Sequence, residues 1–204
     1  MPNGRLILLR HGETEWSLSG QHTGRSDIPL TADGEARARA LVPVMATFHP
    51  AQVRCSPLSR ARTTCAAAGL TPTAIDDDLL EWDYGAYEGQ TTAQIRERLG
   101  DAGWTIWNGT IPPGEHSPGE QPEDVARRAS RVIERCAPDI DAGRDCVLVA
   151  HGHLLRILTA TWLGLPAVDG RLWALDAGAV SVLGFERTQR VISAWNLPAP
   201  AVPR

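Results

Sequence analysis

Two short, uninterrupted apolar runs, Leu6–Leu9 and Cys146–Ala150, each lead straight into a histidine and a glycine. The first continues as Arg10-His11-Gly12 and the second as His151-Gly152-His153. Apolar runs this short, with no polar alternation, read as strands covered on both faces, as in parallel sheets. Open sheets of that kind collect ligands beyond the carboxyl ends of their strands. Each glycine lets backbone approach a ligand closely. Two His-Gly turns at strand ends, one preceded by an arginine, therefore point to a shared chemical site rather than to two packed core histidines.

The rest of the chain supplies helices between these strands. Thr31 reads as an N-cap opening a helix from Ala32 toward Met45, which Pro43 should end or kink. Gln52–Cys55 reads as a strand, Pro57–Ala68 as a helix with Gly69 as its C′ residue, and Thr92–Leu99 as a helix. Val125, Ala129, Val132, Ile133 and Cys136 recur at helical spacing, and a further helix is expected over Leu154–Leu163. Ala179–Phe185 and Arg190–Trp195 read as a closing hairpin, followed by a Pro/Ala-rich, flexible tail over 197–204. Residues 100–122 are rich in Gly and Pro and carry Trp104 and Trp107, a composition expected of a lid or binding loop. The alternation predicts one domain over residues 1–204, an α/β three-layer sandwich with a mostly parallel sheet and helices on both faces.

Composition narrows the function. The net charge is −4, which disfavours nucleic-acid binding. All 20 basic residues are arginine, so lysine Schiff-base and P-loop chemistry is absent. No apolar run approaches the ~20 residues of a membrane span, and Met1–Leu9 lacks the parts of a signal peptide. Cys55, Cys65, Cys136 and Cys146 show no CxxC spacing and read as reduced thiols of a cytoplasmic protein.

Five ordered segments carry a resemblance. Leu9-Arg10-His11-Gly12-Glu13-Thr14-Glu15-Trp16, then His22-Thr23-Gly24 with Asp27-Ile28-Pro29-Leu30-Thr31, then Cys55-Ser56-Pro57-Leu58-Ser59-Arg60-Ala61 follow one another. Leu80-Glu81-Trp82-Asp83-Tyr84-Gly85-Ala86-Tyr87-Glu88-Gly89 and His151-Gly152 complete the set. Together they resemble the histidine phosphatase superfamily, which includes phosphoglycerate mutase. The stretch Glu15–Gly24 and the modest length are closer to its phosphatase members, among them acid-phosphatase-like and sedoheptulose-bisphosphatase-like enzymes.

The resemblance implies a metal-independent phosphomonoesterase acting on a small phosphorylated metabolite without a cofactor, as a monomer or homodimer. It implies His11 as the nucleophile that becomes phosphohistidine, Glu81 as general acid and base, and His151 as a further donor. Arg10 and Arg60 would supply planar forks for phosphate, with Ser17, Thr23, Gly24 and Gly152 completing the cradle. His11 is expected to donate from its other nitrogen to a backbone carbonyl such as that of Gly12. His22, His153 and Tyr84 are possible substrate contacts, whereas Glu13 and Glu88 are expected to hold loops. Ser17 stands where many relatives carry Asn, and Gly119-Glu120-Gln121 has Gln where they carry Ser. Three alternatives stay open: a phosphoglycerate mutase, a metallohydrolase using His11, His151 and His153, and a noncatalytic phosphate sensor. Against a metal stand the missing HExxH spacing and the cations Arg10 and Arg60.

Overall fold

The computed structural model describes residues 4–201, so readings that touch Met1–Asn3 and Val202–Arg204 fall outside the described residues. Six strands form one sheet: β1 (Leu6–Arg10), β2 (Gln52–Cys55), β3 (Ala74–Ile75), β4 (Cys146–Ala150), β5 (Val180–Glu186) and β6 (Gln189–Leu197). Their order is β3-β2-β4-β1-β5-β6. β3, β2, β4 and β1 run parallel, and the β5–β6 hairpin joins through an antiparallel β1–β5 pair. The central strands β1 and β4 are apolar on both faces because both faces are covered.

Alternating residues of the same strand divide between two cores. Leu6, Leu8, Cys146, Leu148 and Ala150 face one side. There they meet α6 (Pro122–Asp141) and α7 (Gly152–Leu163). Ile7, Leu9, Val147 and Val149 face the other side. They pack with Leu41, at the end of α2 (Ala32–Ala40), and with residues of α3 (Val42–Met45) and α4 (Ser59–Ala67). The three-layer α/β architecture expected from the sequence is therefore the one observed. Ile95 of the short helix α5 (Thr92–Leu99) joins the first core, whereas α1 (Glu15–Ser19) contributes no buried residue. Among the described residues no helix is long and apolar enough to cross a membrane.

The helix expected over Ala32–Met45 is two helices. Leu41 caps α2, and Pro43 sits in the first turn of α3, where its missing N–H costs nothing. α7 begins at Gly152 rather than Leu154, and His151 at its N-cap position offers no side-chain cap. β6 extends through Leu197, which pairs with Val180, and Ala199 packs on the second core.

The 100–122 stretch is packed down rather than free. Trp104, Ile106 and Ile111 enter the first core. The Gln121 side chain accepts from Ile111 N and donates to Ile111 O. Its end is fixed by a buried ion pair: Arg128 on α6 donates Nε and Nη2 to the Glu120 carboxylate. The same guanidinium donates to the carbonyls of Asp78, Leu80 and Glu81, and Glu120 accepts from Asp83 N. One arginine thus ties the long loop to the Glu81 segment. Replacing Arg128 by Met strands a carboxylate and three carbonyls, at an expected cost of about 3 kcal/mol. Urea unfolding of Arg128→Met checks this, and Arg128→Met/Glu120→Met should cost less than the sum of the single changes.

Candidate active site

The parallel pairing of β1 with β4 aligns Arg10 with Ala150 and ends with His11 N donating to Ala150 O at 2.9 Å. Two histidines that are distant in sequence therefore leave the sheet side by side, with ring centroids 5.2 Å apart. A cleft of about 200 Å³ opens beyond them. Its walls include Arg10, His11, Ser17, His22, Thr23, Glu81, Tyr84, Gly152 and His153 from the expected set.

The state of the His11 ring follows from its partner. Nδ1 lies 2.7 Å from Gly12 O, and a carbonyl only accepts, so Nδ1 carries the proton. Nε2 then holds the lone pair, and among the described residues it has no hydrogen-bond partner. Burial pushes the His11 pKa well below its ordinary 6.5, and the neighbouring Arg10 and Arg60 charges add to this. The ring is neutral at physiological pH.

His151 is equally determined. Arg60 Nε donates to its Nδ1 at 3.2 Å, so the lone pair is there and the Nε2 proton goes to Ser56 Oγ at 2.7 Å. Both nitrogens are spent inside the protein. Arg60 has no exposure to solvent, and its Nη1 and Nη2 donate to the carbonyls of Ser26, Thr23 and Gly24. Gly24 N donates to the Glu88 carboxylate, which also accepts from Ser26 N. His151, Arg60 and Gly24, expected on the phosphate from the sequence, are tied together by these bonds and are not among the residues that line the cleft. Gly24 could not be larger, since a Cβ there would lie 2.5 Å from Trp82 O.

Arg10 is the cation at the cleft itself. Its Nη1 donates to Leu175 O, while Nε is buried and has no partner among the described residues. A Cβ on Gly152 would stand 3.2 Å from Arg10 Cζ and Nε, so this glycine makes room for the guanidinium. Burial lowers the Arg10 pKa, and the Glu81 charge opposes the shift. The Ser17 hydroxyl borders the cleft and gives its proton to Thr14 O, closing a reciprocal cap on α1.

Glu81 supplies the cap that α7 lacks. Oε1 accepts from Leu154 N at 2.8 Å and Trp82 N at 2.9 Å, and Oε2 from His153 N at 3.0 Å. A carboxylate at a helix N-terminus is favoured by the open N–H groups and the helix dipole. This arrangement delivers Glu81 to the cleft beside His11. Glu13, expected to bond loop backbone, instead accepts from the Thr31 hydroxyl through its carboxylate.

Past this end the wall is aromatic. Tyr84 Oη meets His153 Nδ1 at 2.5 Å, and the His22 ring lies 5.0 Å from Tyr84 and 6.2 Å from His153. Burial lowers His22 to a pKa of about 4 and pushes His153 well below its ordinary value. Sequence reasoning passed over Arg156, which also borders the cleft. The available signal was its position, four residues after Gly152 on one helix face. Among the described residues no three His, Cys, Asp or Glu side chains are grouped as metal ligands.

The family model for "Histidine phosphatase superfamily (branch 1)" matches residues 6–198. An "Acid phosphatase" of Mycobacterium tuberculosis is 36% identical over 205 residues, covering 98% of this chain and 96% of the relative. A "Sedoheptulose 1,7-bisphosphatase" of Saccharomyces cerevisiae is 36% identical over 263 residues, covering 97% and 93%. The solved structure of an open reading frame product from Mycobacterium tuberculosis superposes with a TM-score of 0.88 at 36% identity, covering 97% of this chain and all of that one. With the match spanning nearly the whole fold, the chain is an enzyme of the histidine phosphatase superfamily.

Proposed function

We propose that the enzyme hydrolyses phosphomonoesters of small metabolites through a phosphohistidine on His11. The observation that carries this reading is the His11 tautomer: Nδ1–H is held by Gly12 O, leaving the Nε2 lone pair at a cleft that also holds Arg10 and Glu81. The relatives named acid phosphatase and sedoheptulose 1,7-bisphosphatase support hydrolysis as the reaction class.

Nε2 attacks phosphorus, the ester P–O bond breaks, and Glu81 protonates the departing alkoxide. Arg10 faces the charge that develops on the equatorial oxygens, with Thr23 and Ser17 on the same wall. Arg60 and His151 hold that wall from behind, and Arg60 adds its positive charge. Water then attacks the phosphoenzyme, the P–N bond electrons return to Nε2, and the Glu81 carboxylate takes the proton of the water. The products are an alcohol and inorganic phosphate.

His11→Ala should abolish turnover of p-nitrophenyl phosphate with the fold intact by circular dichroism; a residual rate above a few per cent of wild type overturns the nucleophile. Quenched reactions with labelled substrate should trap an acid-labile, base-stable phosphoenzyme, and the same samples assayed for 3-phosphoglycerate conversion separate a mutase from a phosphatase.

Glu81→Gln should slow an alkyl phosphate by about 10²- to 10⁴-fold. It should slow p-nitrophenyl phosphate much less, because p-nitrophenolate leaves without a proton. The comparison between substrates removes any general loss from the missing helix cap; equal losses exclude Glu81 as the acid.

The pH dependence has a definite sign. His11 sits well below 6.5, so acidification through 6.5 leaves its lone pair free. A kcat/KM profile for p-nitrophenyl phosphate, which reports the free enzyme, should show no loss centred at pH 6.5, and such a limb would mean that the nucleophile titrates as an ordinary imidazole.

A further inference from the structure

Thr64 on α4 carries a wholly buried hydroxyl that the hydrolysis described above does not use. Four residues after Arg60 on the same helix, it gives its proton to Arg60 O at 2.7 Å. A threonine inside a helix commonly bonds back in this way, which leaves its oxygen lone pairs free to accept. Gly12 N donates to that oxygen at 2.9 Å, from 52 residues upstream.

The bond falls on the residue that sets the position of the His11 proton. The peptide between His11 and Gly12 is held at both ends: Gly178 N donates to His11 O at 2.9 Å, and Gly12 N donates to Thr64. The following carbonyl, Gly12 O, is the one that accepts from His11 Nδ1 at 2.7 Å. Gly12 is buried, and among the described residues its N–H has no other acceptor. The turn also lies close against α2, where a Cβ on Gly12 would stand 2.8 Å from Gly34 O. A buried N–H that loses its acceptor is driven to turn toward another. Gly12 resists such rotation little, and the rotation carries its carbonyl away from Nδ1.

We propose that Thr64 is a positioning residue for the nucleophile: its hydroxyl, acting through Gly12, keeps the proton on His11 Nδ1 and the lone pair on Nε2. A neutral imidazole carries its proton on either nitrogen, and only the Nδ1–H form attacks from Nε2. Two requirements are thereby divided between two residues. Arg10 serves the bound phosphoryl group, and Thr64 sets the fraction of enzyme whose nucleophile is ready. The inference rests on His11 being the nucleophile.

The test compares Thr64→Val, which removes the hydroxyl and nearly keeps the shape, with Thr64→Ser, which keeps the hydroxyl. Long-range ¹H–¹⁵N spectra at neutral pH distinguish protonated from unprotonated ring nitrogens, and His11→Ala assigns the His11 pair. Wild type and Thr64→Ser should show a protonated Nδ1 and a free Nε2. In Thr64→Val the two nitrogen signals should move toward each other as the second tautomer is populated. The p-nitrophenolate burst that accompanies His11 phosphorylation should slow by about tenfold to a hundredfold in Thr64→Val and recover most of its rate in Thr64→Ser. Affinity for inorganic phosphate, measured by calorimetry, should not fall in either variant, since Arg10 is untouched. Where Thr64→Val does not fold, Thr64→Ala provides the same readouts. An unchanged tautomer without the hydroxyl, or a Thr64→Ser enzyme as slow as Thr64→Val, overturns the proposal. Phosphate affinity that falls in step with the burst rate also overturns it, since Thr64 then only holds the site together. Failure of the hydrolytic reading would appear separately, as turnover retained by His11→Ala.

Discussion

The site depends on the parallel ladder between β1 and β4. Because Arg10 is in register with Ala150, the next residue on each strand is a histidine, and the two rings meet without either loop having to search for the other. A slip of β1 by one residue would send Leu6 and Leu8 to the wrong face of the sheet. The two cores that fix the register also fix the separation of the histidines. Packing energy and catalytic geometry are the same constraint here.

A lysine-free chain meets its structural needs for buried cations with guanidinium groups. Arg60 distributes its donors over His151 and three loop carbonyls, and Arg128 over Glu120 and three carbonyls around Glu81. An ammonium has three donors and no planar fork, so it could not replace either pattern. The two arginines serve opposite walls of one cleft, Arg60 the Thr23-Gly24 loop and Arg128 the Glu81 segment.

The layered fold was legible because the central strands are short and apolar and the helices between them have ordinary end signals, such as Thr31 before α2 and Gly69 after α4. Boundaries failed where the signal is tertiary. α7 starts two residues before its expected first turn because its cap is Glu81, 70 residues upstream of His151. The identities of the site residues were legible from the ordered motifs, but their depth was not. Nothing local in Ser-Pro-Leu-Ser-Arg says that Arg60 will spend its fork on Thr23 and Gly24. Arg156 was missed because no motif contains it; only the helical spacing from Gly152, together with Gly170 and Trp107 from distant segments, makes it part of the cleft.

Arg60 is wholly enclosed by protein, and this bears on how the cleft responds to its medium. Dissolved ions screen charges that water can surround, over a Debye length of about 8 Å at physiological ionic strength. They cannot enter the space between Arg60, His151 and the loop carbonyls. The positive potential behind the phosphoryl end is therefore shielded from added salt, whereas that of the half-exposed Arg156 is open to competing anions. Added salt therefore acts on the cleft through Arg10 and Arg156, which line it, and leaves the potential of the enclosed Arg60 intact.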